Sequence, residues 1–212
     1  MGKRLLIVLG LVVLSLASQA AAIYTPNPAG RWRAGSFSLL GDFQYNSKDL
    51  DSGPHDLDMY GFFVRPSFSP ARNVSLYGRL GFQGADSVDV GFAGGFGIQG
   101  AYEIPSAPEW AVGGAFDFVY WTADFEHSDA NIKWAEFQLT PAVSYAIPSV
   151  PGLVPYAGIL LDFVEARGDI EQDDPVGLLL GTTYDINGDV RVEAQFRVIS
   201  ENGVFLSGGV TF

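Results

Sequence analysis

Phe92-Ala93-Gly94-Gly95-Phe96-Gly97-Ile98-Gln99-Gly100-Ala101-Tyr102 decides the fold of this chain. Its large apolar side chains, Phe92, Phe96, Ile98 and Tyr102, all fall on even positions, the two-residue period of a β-strand. Gly91, Ala93, Gly95, Gly97, Gln99 and Ala101 occupy the other face, which is small and uncharged. A sheet in water puts its apolar face inward and needs a polar face outside, and this strand has none. It reads instead as a strand whose large side chains meet hydrocarbon while its small ones face a crowded interior. Eleven residues also match the length of a tilted strand crossing a bilayer core.

The same alternation spreads in both directions. Upstream lie Phe37 to Tyr45, Tyr60 to Phe68 and Val74 to Phe82; downstream lie Trp110 to Tyr120, Ala135 to Ile147, Pro155 to Phe163, Val176 to Ile186, Val190 to Val198 and Val204 to Phe212. With the first segment these make ten strands, closed by Pro, Gly, Asn and Asp. No stretch sustains the i, i+3, i+4, i+7 pattern of an amphipathic helix for more than about two turns. Aromatics gather at strand ends, Tyr45, Tyr60, Phe82, Phe92 and Tyr120 at one level and Phe68, Tyr102, Trp110, Tyr145 and Tyr184 at the other. Rings with a polar tip suit the boundary between hydrocarbon and water, so the two levels predict aromatic girdles.

Composition narrows the function. The 212 residues carry 24 acidic and 12 basic groups, a net charge of -12, which argues against a nucleic-acid binder. There is no cysteine, hence no disulfide, thiolate metal site or cysteine nucleophile. Glycine, at 26 residues, exceeds the usual share of about 7%. Close backbone approach inside a narrow barrel accounts for that excess. At the start, Lys3 and Arg4 precede an apolar run from Leu5 to Ala17, then Ser18, Ala20, Ala21 and Ala22. That is the form of a secretory signal peptide over residues 1–22, leaving a single domain over 23–212. The run is shorter than the roughly 20 apolar residues of a membrane helix.

Links alternate in length. Ser69 to Asn73, Pro105 to Glu109, Pro148 to Gly152 and Asn187-Gly188-Asp189 are short turns, the last with the Asn-Gly pair of tight hairpins. Ser47 to Asp56, Thr122 to Ile132 and Ala166 to Pro175 are longer and acidic. Together with the terminal Val204-Phe205-Leu206-Ser207-Gly208-Gly209-Val210-Thr211-Phe212, this organisation resembles the small bacterial outer-membrane β-barrels, the class of the OmpA transmembrane domain, OmpX and the opacity proteins. The resemblance covers the whole mature chain and implies an all-β, antiparallel, up-and-down transmembrane β-barrel. The count here is ten strands; the class commonly has eight, which stands as the alternative. It implies short turns in the periplasm, long loops outside, outer-membrane lipid and lipopolysaccharide as surroundings, and a monomer. It also implies that the barrel-assembly machinery reads the last strand through Leu206, Val210 and Phe212, although Ser207 stands where the usual glycine would be.

By alternation, Asp42, Arg65, Arg79, Glu103, Asp117, Glu136, Asp162, Arg191, Glu193, Gln195 and Arg197 point into the barrel. Buried charge is tolerable only when paired or wet, so the four arginines are expected to pair with the carboxylates and plug the lumen. Ten strands lie nearer the filled eight-stranded limit than the open porins. The expected role is structural or surface-interacting, with neither enzyme activity, cofactor nor resident metal. A narrow, weakly cation-preferring pore is the runner-up, because acidic groups exceed basic ones inside and in the loops Asp49 to Asp58 and Asp169 to Asp174. Two hydrolase types among outer-membrane barrels supply the distant third reading. His127 lies beside Asp124, Glu126 and Asp129, and His55 beside Asp51, Asp56 and Asp58, the acidic pairs and histidine of the omptin proteases in outline. Glu126-His127-Ser128 has the groups of a lipid A deacylase at a spacing that splits them between opposite strand faces. Asp169, Glu171, Asp173 and Asp174 alternate as in a calcium loop but lack its glycine and its terminal glutamate.

Overall fold

The computed structural model describes residues 24–49, 56–86, 88–124, 131–166, 175–199 and 201–212. The leader over 1–22, both histidines and the acidic group Asp169 to Asp174 lie outside these. Ten strands follow one another, β1 (Phe37–Asp49), β2 (Asp56–Ala71), β3 (Val74–Ala85), β4 (Val88–Ile104), β5 (Ala107–Asp124), β6 (Asn131–Tyr145), β7 (Leu153–Ala166), β8 (Val176–Ile186), β9 (Val190–Val198) and β10 (Glu201–Thr211). Each pairs antiparallel with its neighbour in sequence, and β10 returns to β1, from Ser38 opposite Thr211 to Lys48 opposite Glu201. The sheet is therefore a closed barrel without a free edge, which satisfies every strand's backbone within the wall. The ten-strand reading holds over the eight-strand one.

The two faces part as their side chains demand. Phe62, Phe96 and Phe116 are 55%, 57% and 36% exposed on the outer surface, whereas Arg65, Arg79 and Asp117 are buried inside. An apolar exterior around a charged interior inverts the arrangement of a soluble barrel. It is stable when acyl chains, not water, surround the wall. Leu80, 58% exposed at the middle of β3, tests this directly. Leu80→Arg is expected to lower the unfolding free energy in phospholipid vesicles by about 2–4 kcal/mol. A change within about 0.5 kcal/mol in urea titrations would mean that this face meets water.

One end of the barrel carries the connections 72–73, 105–106, 146–152 and 187–189. In the last of these Asn187 and Gly188 take φ of 55° and 76°, the left-handed conformation that asparagine tolerates and that glycine, without a Cβ, adopts freely. The other end, the loop end, carries 50–55, 125–130 and 167–175, together with 86–87 and 199–200, which are as short as turns. Several girdle aromatics pair across strands, Phe82 opposite Phe92 and Trp110 opposite Tyr145, with ring centroids 6.3 and 4.8 Å apart. Tyr60, Phe68, Tyr102 and Tyr120 are exposed on the outer wall; Tyr45, Tyr145 and Tyr184 are half-buried. At the terminal strand, Phe212 and Phe37 exchange backbone hydrogen bonds of 2.7 and 3.2 Å. Phe212 and Val210 are exposed and Leu206 is half-buried.

Candidate functional site: the barrel interior

Inward positions on β1, β2, β9 and β10 converge on one arginine. Arg65 donates from Nε to Asp42 Oδ2 at 2.8 Å and from Nη2 to Oδ1 at 3.1 Å, a two-pronged pair that matches the planar guanidinium to the carboxylate. The same Nη2 reaches Ser207 Oγ at 3.2 Å and Glu193 Oε2 at 3.5 Å. Arg79, on β3, donates to Asp117 Oδ1 at 2.6 Å, and Tyr77 Oη donates to the same oxygen at 2.8 Å. Both guanidinium groups lie over the Tyr77 ring, 5.7 and 5.6 Å from its centroid. Across the lumen, Arg197 donates to Glu201 Oε1 at 2.5 Å, Gln195 Oε1 at 2.8 Å and Gln138 Oε1 at 3.2 Å. Arg191 sits at the short-turn end, held by Asp185 at 2.6 Å. Glu103 stands at that same rim rather than in the central network, accepting from the exposed Arg72 at 2.9 Å and from Asn73 at 3.0 Å.

Tyr77 is accommodated by a glycine. A Cβ on Gly97 of β4 would come within 2.4 Å of the Tyr77 ring, so the tyrosine can lie flat on the wall only over hydrogen. Gly97→Ala is expected to push the phenol off Asp117. Losing that charged hydrogen bond and overpacking the wall should cost about 2–4 kcal/mol in urea unfolding. Adding Tyr77→Phe to it should then cost little more.

Glu136, Asp162 and Glu201 bring carboxylate oxygens within 4.8 Å of one another, all buried. Both oxygens of Glu136 accept hydrogen bonds, from Trp134 Nε1 at 3.0 Å and Gln138 Nε2 at 2.7 Å. Both oxygens of Glu201 do too, from Asn46 Nδ2 at 2.5 Å and from Arg197. The triad is the carboxylate group best placed to hold a cation among the described residues, and its protein donors already make it part of the polar network.

The alternation pattern gave no hint of what lies between these walls. Residues 24–36 run through the lumen from mid-height to the short-turn end before β1 begins, with Tyr24, Thr25, Asn27, Ala29 and Trp32 all buried. Pro26 and Pro28 deny this strap a ladder of its own, and Asn27 turns it by accepting from Ala29 N at 3.1 Å and Gly30 N at 2.9 Å. Between Tyr24 and Ala29 it hydrogen-bonds to five strands of the wall. Tyr24 N donates to Gln44 on β1 at 3.0 Å, and Tyr24 O accepts from Arg79 on β3 at 2.6 Å. The Tyr24 hydroxyl donates to Glu193 on β9. Thr25 Oγ1 donates to Gln138 on β6 at 2.9 Å, and Thr25 O accepts from Gln195 on β9 at 2.9 Å. Asn27 Nδ2 donates to Thr183 on β8 at 3.2 Å, and Ala29 O accepts from Ser144 on β6 at 2.9 Å. Trp32 ends the strap beneath the Arg191 guanidinium, 4.0 Å from ring to cation. Gly113 of β5 makes room for it, since a Cβ there would stand 2.6 Å from Pro28 O.

Comparison with solved structures places this architecture. An outer membrane channel from Pseudomonas putida F1 superposes with a TM-score of 0.52 at 10% identity, over 90% of this chain and all of that one. The β-domain of the Bordetella autotransporter BrkA gives 0.51 at 10% identity, over 83% of this chain and 98% of that one. No family model and no curated protein sequence matches. At such identities the likeness is one of fold, and the chain has the fold of the outer-membrane β-barrels.

Proposed function

We propose that this protein is a monomeric, non-enzymatic barrel of the outer membrane, closed to solutes by its own N-terminal strap, with a structural or surface-interacting role carried by its loops. In this reading the leader exports the chain and is removed. The assembly machinery recognises β10 through Leu206, Val210 and Phe212, and the wall settles among outer-membrane lipid and lipopolysaccharide with the short-turn end in the periplasm. The observation that carries it is the strap, which crosses a lumen already narrowed by four arginine–carboxylate pairs and hydrogen-bonds to β1, β3, β6, β8 and β9. Such a network is rigid because each member would be left buried and unsatisfied if it moved alone. The purified barrel, folded as judged by heat-modifiable migration on a gel, is expected to give no current steps in planar bilayers. Reproducible steps from the intact chain favour the narrow-pore reading instead.

A further inference from the structure

On the outer wall, toward the short-turn end, β2, β3 and β4 leave an open groove of about 380 Å³. Pro66 and Gly78 lie at its floor, and Phe37, Phe68, Leu76 and Phe96, all exposed, stand around it. Two local features open it. Pro66 has no N–H to give the ladder, so the β2–β3 pairing runs to Val64 opposite Leu80 and resumes only at Ser67 opposite Tyr77. Gly78 adds no side chain at the same level, and packing within the chain does not demand this glycine. A Cβ there would meet nothing nearer than Gly95 O at 3.9 Å, and its φ is not left-handed.

A charge stands at the aqueous side of the groove. Arg72, in the β2–β3 turn, is four residues from both Phe68 and Leu76. That is about 13 Å of extended chain. Its guanidinium is 75% exposed and spends Nη2 on Glu103, which leaves its other N–H groups for a second acceptor. An apolar hollow with an exposed cation at its wet end has the polarity of a lipid, hydrocarbon first and phosphate after it.

We propose that this groove is a binding site for one glycerophospholipid. An acyl chain lies over Pro66 and Gly78 among Phe68, Leu76 and Phe96, and the phosphodiester takes the free edge of the Arg72 guanidinium, whose planar fork suits a phosphate. Lipopolysaccharide is the wrong lipid, because groove and arginine both stand at the short-turn end. The site itself requires only that the wall faces lipid; assigning it to the periplasmic leaflet rests on the orientation proposed above. A second copy of the chain fits less well. The broad convex wall of another barrel would rest on the flanking rings and leave the floor uncovered, whereas a polymethylene chain can lie between them.

The test uses the full-length protein, purified from membranes as a folded barrel in a non-ionic detergent, titrated with dioleoylphosphatidylglycerol and read by native mass spectrometry. The expected result is one saturable one-to-one adduct above the statistical series. Gly78→Leu fills the floor and should weaken that adduct about 10-fold. Gly114→Leu, at an outward glycine of β5 where a Cβ meets only ordinary contacts from 3.5 Å, should leave it unchanged. Arg72→Gln should weaken it about 5-fold, yet leave dioleoylglycerol, which has the tails without the phosphate, bound as in wild type. A purely statistical adduct series, or wild-type affinity in either Gly78→Leu or Arg72→Gln, overturns the proposal. So does a dimer that Gly78→Leu abolishes, which gives the groove to a second copy. Leu80→Arg reports on the lipid-facing wall by itself, so failure of this site and failure of that reading are told apart.

Discussion

Deleting residues 24–32 is expected to turn a silent barrel into a conducting one. The strap rests against Gly113 on β5, and the buried inward neighbours Ala111 and Ala115 have side chains too short to fill the space it leaves. Arg79, Gln138 and Gln195 would lose their strap partners and take up water, since buried polar groups left alone must be hydrated or pay for their isolation. Current recordings should therefore go from no resolvable steps to reproducible ones, with the barrel still heat-modifiable. Burial of Tyr24 and Trp32 is lost as well, worth about 1.5–3 kcal/mol for each large side chain, so the urea midpoint should fall. A milder variant separates plugging from folding. Tyr24→Ala removes the hydroxyl on Glu193 and the stacking on Phe205, with rings 6.0 Å apart, but keeps the backbone in place; it should give flickering rather than sustained current. A deletion variant that folds and stays silent would show that the side-chain network alone seals the lumen.

Removing the cation at the centre should have the largest effect on stability of any single substitution. Arg65→Met keeps most of the volume of the side chain but strands Asp42 and Glu193, both buried, without their shared cation. An uncompensated buried charge costs about 3–5 kcal/mol, more than the net worth of the pair it came from. Urea unfolding in vesicles, followed by tryptophan emission, should register a loss of that size. Arg65→Met with Asp42→Leu should recover part of it, because the second change removes one of the stranded charges instead of adding a new defect. A loss below about 1 kcal/mol for Arg65→Met would mean that water reaches this layer and screens it.

Much of the wall was legible in the sequence. A two-residue period is a local property, so Phe62, Phe96 and Phe116 declare their face without knowledge of any other strand, and the same parity puts Arg65, Arg79 and Asp117 on the opposite one. It also placed residues that a search for polar groups passes over. Trp121 shares the parity of Asp117 on β5, and Phe63 that of Arg65 on β2, so the apolar end of the interior was written in the pattern although only its polar members were sought. Glu201 escaped for a different reason. Glu201-Asn202-Gly203 reads as a turn, yet β10 begins there because pairing with Asn46, Ser47 and Lys48 across the closing seam extends the ladder.

What sequence alone determined is the repeated choice between hydrocarbon and interior, made residue by residue from side-chain polarity and strand period. Which interior groups meet, and what occupies the space they enclose, arose only on closure. Arg65 finds Glu193 128 positions away, and Tyr24 reaches it from 169, through the register of strands whose order around the barrel brings them together. The strap belongs wholly to that second level. It has no period of its own, and its place in the lumen follows from the hollow that ten strands leave, from the small residues of β5, and from polar side chains on five strands that would otherwise lack partners.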